Sequence, residues 1–349
     1  SGKDLPDCYQ GPEADALRKS GGVSAREPDR DTVRAYLAKT RPAEHIDQMV
    51  ARASGFAPVR RALVQGLADT MRVQLDLALE RLGDGPAVDY DRCVIASTGT
   101  TAKEADTKSE LEQVRHLLGE IGEKVRPGNE GLLEAIDAWR GRTWVGHEGI
   151  DRANQRVIAE LEALVEKNFL PHVPEELRGV PRSNVRFLTI QEAWFSGSMN
   201  YIGRARTRDG TPEYEAEYEI NARIQKSQAE FSHLVAHEVV PGHVTTFAYL
   251  QHLHHIGRLG FEATILTMNT RHSTLFEGVA NAGLMLAHGV IAPDQLPSPE
   301  LRLGMLLAQL EDIAKNNASF YTYAAGMPAD EIKRRLRRDC LSTQERADK

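Results

Sequence analysis

The sequence has 349 residues, of which 41% are hydrophobic, and its formal net charge is -7. This length suffices for one large domain or two closely joined ones, and the acidic balance excludes the strongly basic face of a nucleic-acid-binding protein. No apolar run approaches the ~20 residues that a membrane-spanning helix needs. The N-terminus shows no apolar signal segment, and the 3 cysteines lack CxxC spacing. We therefore expect a cytoplasmic protein that binds neither nucleic acid nor membranes. The alternative is an exported protein whose signal peptide has been removed, which would leave no trace in this sequence.

The first half of the chain predicts helices behind a polar arm. Residues 1–30 are rich in glycine, proline and charge, and apolar residues then recur at helical spacing. Glycine and proline mark the ends of these segments. The predicted helices cover about 32–41, 58–83, 103–124, 129–139 and 150–168. The sequence thus predicts an N-terminal arm over 1–30 and a helical region over 31–183.

The spacing of apolar residues then changes to that of strands. Residues 185–190 predict one strand, and Asp209-Gly210 predicts a two-residue turn between strands at 200–208 and 213–221. The turn would place three side-chain pairs opposite one another: Arg206 and Glu213, Arg204 and Glu215, and Tyr201 and Tyr218. The hairpin is either a structural element held by ion pairs or an edge that binds an extended substrate.

Helical spacing resumes after the hairpin and continues to the end of the chain. It predicts helices at about 217–240, 243–257, 260–290, 299–320 and 328–340. The expected fold is mainly α, a multi-helix arrangement with a small β-hairpin insert beside the active site. A metal-binding region over 184–340 would form one compact unit with 31–183.

A histidine-rich motif lies between two of these predicted helices. A helix that carries His-Glu-x-x-His places two imidazoles one turn apart, and the Glu beside them can act as a base. Here His243 comes six residues after His237, which is ~240° further round an ideal helix. We predict that Pro241-Gly242 breaks the helix and returns His243 toward His237. Alternatively, Pro241-Gly242 merely ends a helix whose dipole His237 complements.

The HExxPGH stretch at 237–243, followed by EGVA at 277–280, resembles a large bacterial family of zinc-peptidase-like proteins. More distantly it resembles helical zinc carboxypeptidases and oligopeptidases. The resemblance covers roughly 184–338. It implies a metallopeptidase-like fold in which His237, His243 and Glu277 are the metal ligands and Glu238 is the general base.

Three protein ligands leave one zinc coordination position open for water, as in catalytic sites. We expect a Zn2+-dependent hydrolase that cleaves an amide bond in a short peptide or an N-acyl amino acid, with Glu238 as the base. Val279 and Leu284 stand where the family often has a tryptophan and an acidic residue. Two alternatives therefore stay open. One is a biosynthetic metalloenzyme that acts on a small amino-acid-derived substrate with zinc, Fe2+ or Mn2+, and the other is a helical binding protein with a vestigial motif.

Five further residues are candidates for substrate binding or for hydrogen bonds to the ligands. His233 precedes His237 by one helical turn, and Asn281 follows Glu277 by one turn. Arg271 could clamp a substrate carboxylate. The phenol groups of two hairpin residues, Tyr201 and Tyr218, could donate to an oxyanion. The structural alternatives are a buried histidine, an ion pair and aromatic packing.

Overall fold

The computed structural model describes residues 29–146, 149–190, 197–201, 203, 205–223, 225–264 and 269–348. The chain is mainly helical and has a small three-stranded sheet, which confirms the predicted fold class. Its metallopeptidase-like character stays a prediction. Residues 1–28 of the predicted polar arm, and Arg204 of the predicted hairpin, lie outside the described residues.

Contacts divide the described chain into two compact units. The first contains the residues up to Ala102 and those from Ile256 to Glu277, and the second those from Lys103 to His255 and from Gly278 onward. The division that we predicted at residues 30 and 183 stays a prediction.

The first unit contains α1 (Arg30–Thr40), α2 (Pro42–Ala53), α3 (Pro58–Leu82) and α4 (Tyr90–Thr98). We predicted neither α2 nor α4. Pro42 ends the predicted first helix in the sequence, but it occupies the first position of α2, where its fixed φ is favourable and its missing N–H costs nothing. Arg41 takes a left-handed φ of 43° between α1 and α2, so two helices follow each other with a single residue between them.

The second unit contains most of the remaining elements. Its helices are α5 (Lys108–Glu120), α6 (Gly128–Thr143), α7 (Ile150–Asn168), α8 (Glu175–Arg178), α9 (Gln228–Glu238), α10 (His243–His255), α12 (Gly283–His288), α13 (Pro299–Tyr323), α14 (Ala329–Cys340) and α15 (Gln344–Asp348). Helix α11 (Arg271–Asn281) crosses the division between Glu277 and Gly278. The single helix predicted over about 260–290 is wrong, because α11 and α12 are separate.

The sheet has the order β1 (Val185–Ile190), β3 (Ala216–Asn221), β2 (Gly197–Tyr201). The central strand β3 pairs parallel with β1 and antiparallel with β2. The helix predicted over about 217–240 therefore starts too early. Residues 216–221 are this central strand, which the predicted strand at 213–221 contains, and α9 begins only at Gln228. Its buried side chains alternate with half-buried ones, and the fully buried Tyr218 lies on the side that packs into the core.

The predicted hairpin register is also wrong. Tyr201 lies opposite Ala216, and Tyr218 lies opposite Met199. The reason is a change of backbone conformation on each side, because Gly203 has a φ of 61° and Tyr214 a φ of 54°. Such left-handed residues interrupt the alternation of a regular strand, so a register counted back from the turn does not reach the sheet unchanged.

Helix α9 lies at the centre of the second unit, and neighbouring backbone approaches it very closely. A Cβ at Gly304 of α13 would lie 2.8 Å from the Ala229 carbonyl carbon, and one at Gly283 of α12 would lie 2.6 Å from the Ala236 oxygen. Real Cβ atoms do not make such contacts with backbone, so both positions require glycine. The two contacts fix α9 near its start and near its end.

The start of α9 is also held by a buried ion pair. Glu230 forms a capping box with Ser227, and Arg140 of α6 donates to the Glu230 carboxylate at 2.5 Å. Burial would raise the pKa of Glu230, but the charge and hydrogen bonds of Arg140 outweigh it and lower that pKa. The pair therefore stabilises the fold above the ordinary glutamate pKa of 4.5 and ceases to do so as pH falls through the lowered value.

We expect Glu230→Gln to destabilise the protein by ~3–5 kcal/mol at pH 7, because Arg140 keeps a buried charge without its counterion. Glutamine can still cap the helix, so the loss reports the charge. Urea unfolding at pH 7 and at pH 4 measures it, and the difference from wild type should shrink at the lower pH. The exposed pair of Glu134 with Arg126 is the control, for which Glu134→Gln should cost less than ~1 kcal/mol. Equal losses would contradict this prediction.

Candidate metal centre

The two histidines of the motif are brought together by a turn between helices. Helix α9 ends at Glu238 and α10 begins at His243. A Cβ at Gly242 would lie 1.7 Å from the His237 carbonyl oxygen, so the turn folds directly onto the last turn of α9. As a result the His237 and His243 rings lie 4.8 Å apart between centroids and are nearly perpendicular, at 89°.

Side chains and backbone of the turn hold its closed shape. The Thr245 hydroxyl donates to the Val239 carbonyl at 3.1 Å, and the Thr246 hydroxyl donates to the Gly242 carbonyl at 3.0 Å. The Thr245 backbone N–H also donates to the Val239 oxygen, at 3.2 Å. The Val239 carbonyl, which follows the end of α9, thus accepts two bonds from Thr245, and the Gly242 carbonyl also accepts the Thr246 backbone N–H at 2.9 Å. The beginning of α10, and with it His243, is thereby fixed relative to the end of α9.

Glu277 completes a group of three potential metal ligands. It is the last residue of the first unit, and α11 continues without a break through Gly278 to Asn281. The ligand atoms of His237, His243 and Glu277 all lie within 4.8 Å of one another. Among the described residues no other group of three or more such side chains comes together in this way. Their role as metal ligands stays a prediction.

His237 is held by a hydrogen bond on the side of its ring that carries Nδ1. Its Nδ1 lies 2.9 Å from Oδ1 of Asn281, and Nδ2 of Asn281 donates to Oδ2 of Asp312 at 3.0 Å. Asn281 therefore contacts a candidate ligand, as its position on the helix suggested. The sequence did not identify Asp312, which lies 31 residues further along the chain on α13. No local pattern relates two residues at that separation.

Glu238 and Tyr218 form a second pair of interest beside the histidines. Glu238 is the last residue of α9 and is buried, and Tyr218 on β3 is fully buried. Burial, and secondarily the Glu238 carboxylate, raise the pKa of Tyr218 well above its ordinary value. The Tyr218 hydroxyl has no hydrogen-bond partner among the described residues. Gly197 leaves the room that this hydroxyl occupies, since a Cβ there would lie 3.0 Å from it.

The remaining candidates lie at different distances from the histidines. His233 is buried, its ring centroid lies 6.4 Å from that of His237, and burial lowers its pKa to about 4. The Tyr201 ring contacts the ring of Phe247, and the Phe247 ring in turn stacks on the His243 ring, with 5.6 Å between their centroids. The Tyr201 hydroxyl itself donates to Gln251.

Arg271 lies at the start of α11 in the first unit. Its side chain approaches the end of α4, where a Cβ at Gly99 would lie 3.8 Å from Arg271 Cδ. Both uses proposed for Arg271, a clamp on a substrate carboxylate and a structural ion pair, stay predictions.

No protein-family model and no curated protein matches the sequence. Among solved structures, the chain is similar to "a putative lipoprotein of unknown function from Shewanella oneidensis", with 14% identity and a TM-score of 0.52 over 86% of this chain and 58% of that one. It is also similar to "the putative lipoprotein from Colwellia psychrerythraea", with 14% identity and a TM-score of 0.48 over 86% of this chain and 55% of that one. This chain thus spans less than two thirds of the length of either.

These comparisons overturn two predictions. The assignment to a zinc-peptidase-like family is wrong, because no family model matches and the structural neighbour with a TM-score of 0.52 is described as "a putative lipoprotein of unknown function". The prediction of a cytoplasmic protein is contradicted by the same description of that neighbour. At 14% identity the Shewanella oneidensis structure shows a shared fold and nothing about activity.

Within the described parts of the chain, no helix combines the length and the apolar character that crossing a bilayer requires.

Proposed function

We propose that this protein is a zinc-dependent hydrolase that cleaves an amide bond in a short peptide or an N-acyl amino acid. One observation carries the proposal: the ligand atoms of His237, His243 and Glu277 lie within 4.8 Å of one another. Glu238, which can act as a base, directly follows His237 in the sequence. The inference rests on this geometry and on the chemistry of the side chains.

The donor set fits zinc. Two imidazoles and one carboxylate are a recurrent ligand set of catalytic zinc, and three protein ligands leave a fourth position open. Two donor atoms that each lie ~2.1 Å from one ion are at most ~4.2 Å apart. The donor atoms of the cluster lie within 4.8 Å of one another, so they need to move little to bind the same ion. The hydrogen bond from His237 to Asn281 also fits, because histidine ligands of metals usually donate their other ring N–H to an acceptor.

A zinc ion bound there would lower the pKa of a water molecule to ~7 and polarise the substrate carbonyl. Glu238 would accept the proton of the attacking water and pass it to the leaving nitrogen. Glu238 is buried and adjoins the candidate ligand His237 in the sequence, which places its carboxylate beside the proposed site. Tyr218 is the candidate to donate a hydrogen bond to the developing oxyanion, since its hydroxyl lies near Glu238 and stays protonated.

We expect wild-type protein to bind one zinc ion per chain and Glu277→Ala to lose it, because two imidazoles alone bind zinc much more weakly than three ligands. Elemental analysis of chelator-free protein measures this directly. Glu112→Ala, an exposed substitution on α5, is the control and should keep full zinc content. A panel of short peptides and N-acyl amino acids then tests hydrolysis.

The same donor set would also suit iron, since two histidines and one carboxylate can hold Fe(II) with open positions. The elemental analysis separates the two assignments, because iron in place of zinc would favour the alternative of non-peptidase chemistry on a small amino-acid-derived substrate. The buried Glu238 favours hydrolysis, which requires a base at that position. No metal in either sample would contradict the proposal altogether.

A further inference from the structure

The described residues contain a chain of polar contacts that leads away from His237 into helix α13. His237 Nδ1 lies 2.9 Å from Asn281 Oδ1, Asn281 Nδ2 lies 3.0 Å from Asp312 Oδ2, and Asp312 Oδ1 lies 2.8 Å from Lys315 Nζ. All four residues belong to the second unit. Asn281 lies on the part of α11 that follows Glu277 and is therefore also in this unit. Each contact is of ordinary hydrogen-bond length.

The chemistry of these groups gives the chain a direction. An ionised carboxylate can only accept hydrogen bonds, so the Asn281 group that faces Asp312 must be its NH2. The amide oxygen of Asn281 then faces His237, and it too can only accept. His237 must therefore carry its proton on Nδ1. In a neutral imidazole this leaves the lone pair on Nε2.

The charge of Asp312 is maintained on its far side. Lys315 pairs with Oδ1 and leaves Oδ2 for Asn281. The Asp312 side chain is also 44% exposed to solvent. A neutral group at this position could present either a donor or an acceptor to Asn281, and the amide would lose its single orientation.

We propose that Asp312 is a positioning residue for the metal centre: acting through the Asn281 amide, it holds His237 in the tautomer whose Nε2 lone pair can bind the metal. This inference rests on the metal site of the proposed function, but it does not depend on the reaction. It assigns a task to a residue that contacts no candidate ligand directly. Hydrogen-bond partners of this kind typically change metal affinity by ~10–100-fold when they are removed.

The experiment uses four versions of the full chain: wild type, Asp312→Asn, the double variant Asn281→Asp with Asp312→Asn, and the control Asp339→Asn. Asp339 accepts two hydrogen bonds from Arg338, at 2.6 and 2.7 Å, so the control makes the same isosteric change away from His237. In the double variant, the new carboxylate at position 281 accepts from His237, and the new amide at position 312 donates to that carboxylate. In the double variant position 281 again accepts a hydrogen bond from His237, although the amide and the carboxylate have exchanged places.

Two readouts are measured: the His237 tautomer in metal-free protein by 15N NMR, and zinc affinity by competition with a chelator. The His237 signals are identified by their loss in His237→Gln. We expect the Nδ1–H tautomer in wild type and in the control. Asp312→Asn should give mixed tautomers and a zinc affinity reduced ~10–100-fold. The double variant should restore both.

An Nε2–H tautomer in wild type would overturn the proposal, whatever the variants at positions 281 and 312 show. Unchanged zinc affinity in Asp312→Asn, or a double variant no better than the single one, would also overturn it. The proposed hydrolysis can fail separately. If wild type binds zinc and shows the expected tautomer but cleaves no amide, the positioning role stands and the reaction falls.

Discussion

Glu238→Gln is expected to reduce amide hydrolysis by ~10²–10⁴-fold while the protein keeps its zinc. Glutamine has the size of glutamate and can still form hydrogen bonds, but it cannot accept a proton from water. Glu238 is not one of the three clustered ligand residues, so metal content should not change. The measurement is kcat on a substrate found in the peptide and N-acyl amino acid panel, with zinc determined in the same samples.

Glu112→Gln is the matched control, because it makes the same chemical change on an exposed helix face. It should leave both kcat and zinc content at wild-type values. Loss of zinc from Glu238→Gln would mean that Glu238 is itself a ligand. Unchanged hydrolysis with full zinc content would mean that another group removes the proton, and the role assigned to Glu238 would be wrong.

Gly242→Ala is expected to reduce both the stability of the fold and the binding of zinc. The new Cβ would lie 1.7 Å from the His237 carbonyl oxygen and 2.5 Å from the Ala236 carbonyl oxygen. Both are backbone atoms, so no side-chain rotation relieves the contact and the turn must move away from α9. Overpacking in cores typically costs ~1–3 kcal/mol, and we expect at least the upper value. His243 would move with the turn, so zinc binding should be lost as well.

Thermal unfolding and elemental analysis test this prediction together. Gly141→Ala is the control, because a Cβ there meets no described atom within 4 Å, and alanine stabilises a helix by ~0.5–1 kcal/mol relative to glycine. A Gly242→Ala protein with wild-type stability and full zinc content would show that the close approach of the turn to α9 is not needed for the site.

The sequence predicted the regular elements well where a single signal was present. The helix over 150–168 and the strand over 185–190 agree with α7 and β1 residue for residue, because apolar spacing and flanking breakers point the same way. Overlapping signals were not resolved. The sequence assigned residues 217–221 both to the second strand of the hairpin and to the start of a helix, and their pairing between β1 and β2 makes them the central strand.

The residues of the candidate site likewise fall into those that a local signal identified and those that it did not. Local spacing sufficed to bring His237, Glu238 and His243 into consideration, and helical periodicity placed Asn281 near Glu277. Asp312 has no such signal, because its link to Asn281 depends on how α13 packs in the second unit. The register of β2 against β3 was lost for a related reason. Gly203 and Tyr214 have left-handed backbone angles, and both residues bond to side chains of α10, Gln251 and His252, which lie far from the turn in the sequence.

The close backbone contacts of α9 also bear on how the metal-free protein moves. Gly304 and Gly283 lie against the Ala229 and Ala236 backbone. Interiors packed this closely have low compressibility and leave little room for small local movements. The amide protons in the middle of α9 should therefore exchange with solvent only when the whole unit unfolds. His237 would then be ordered before any ion arrives, and binding would not have to supply the free energy of folding that structural zinc sites require.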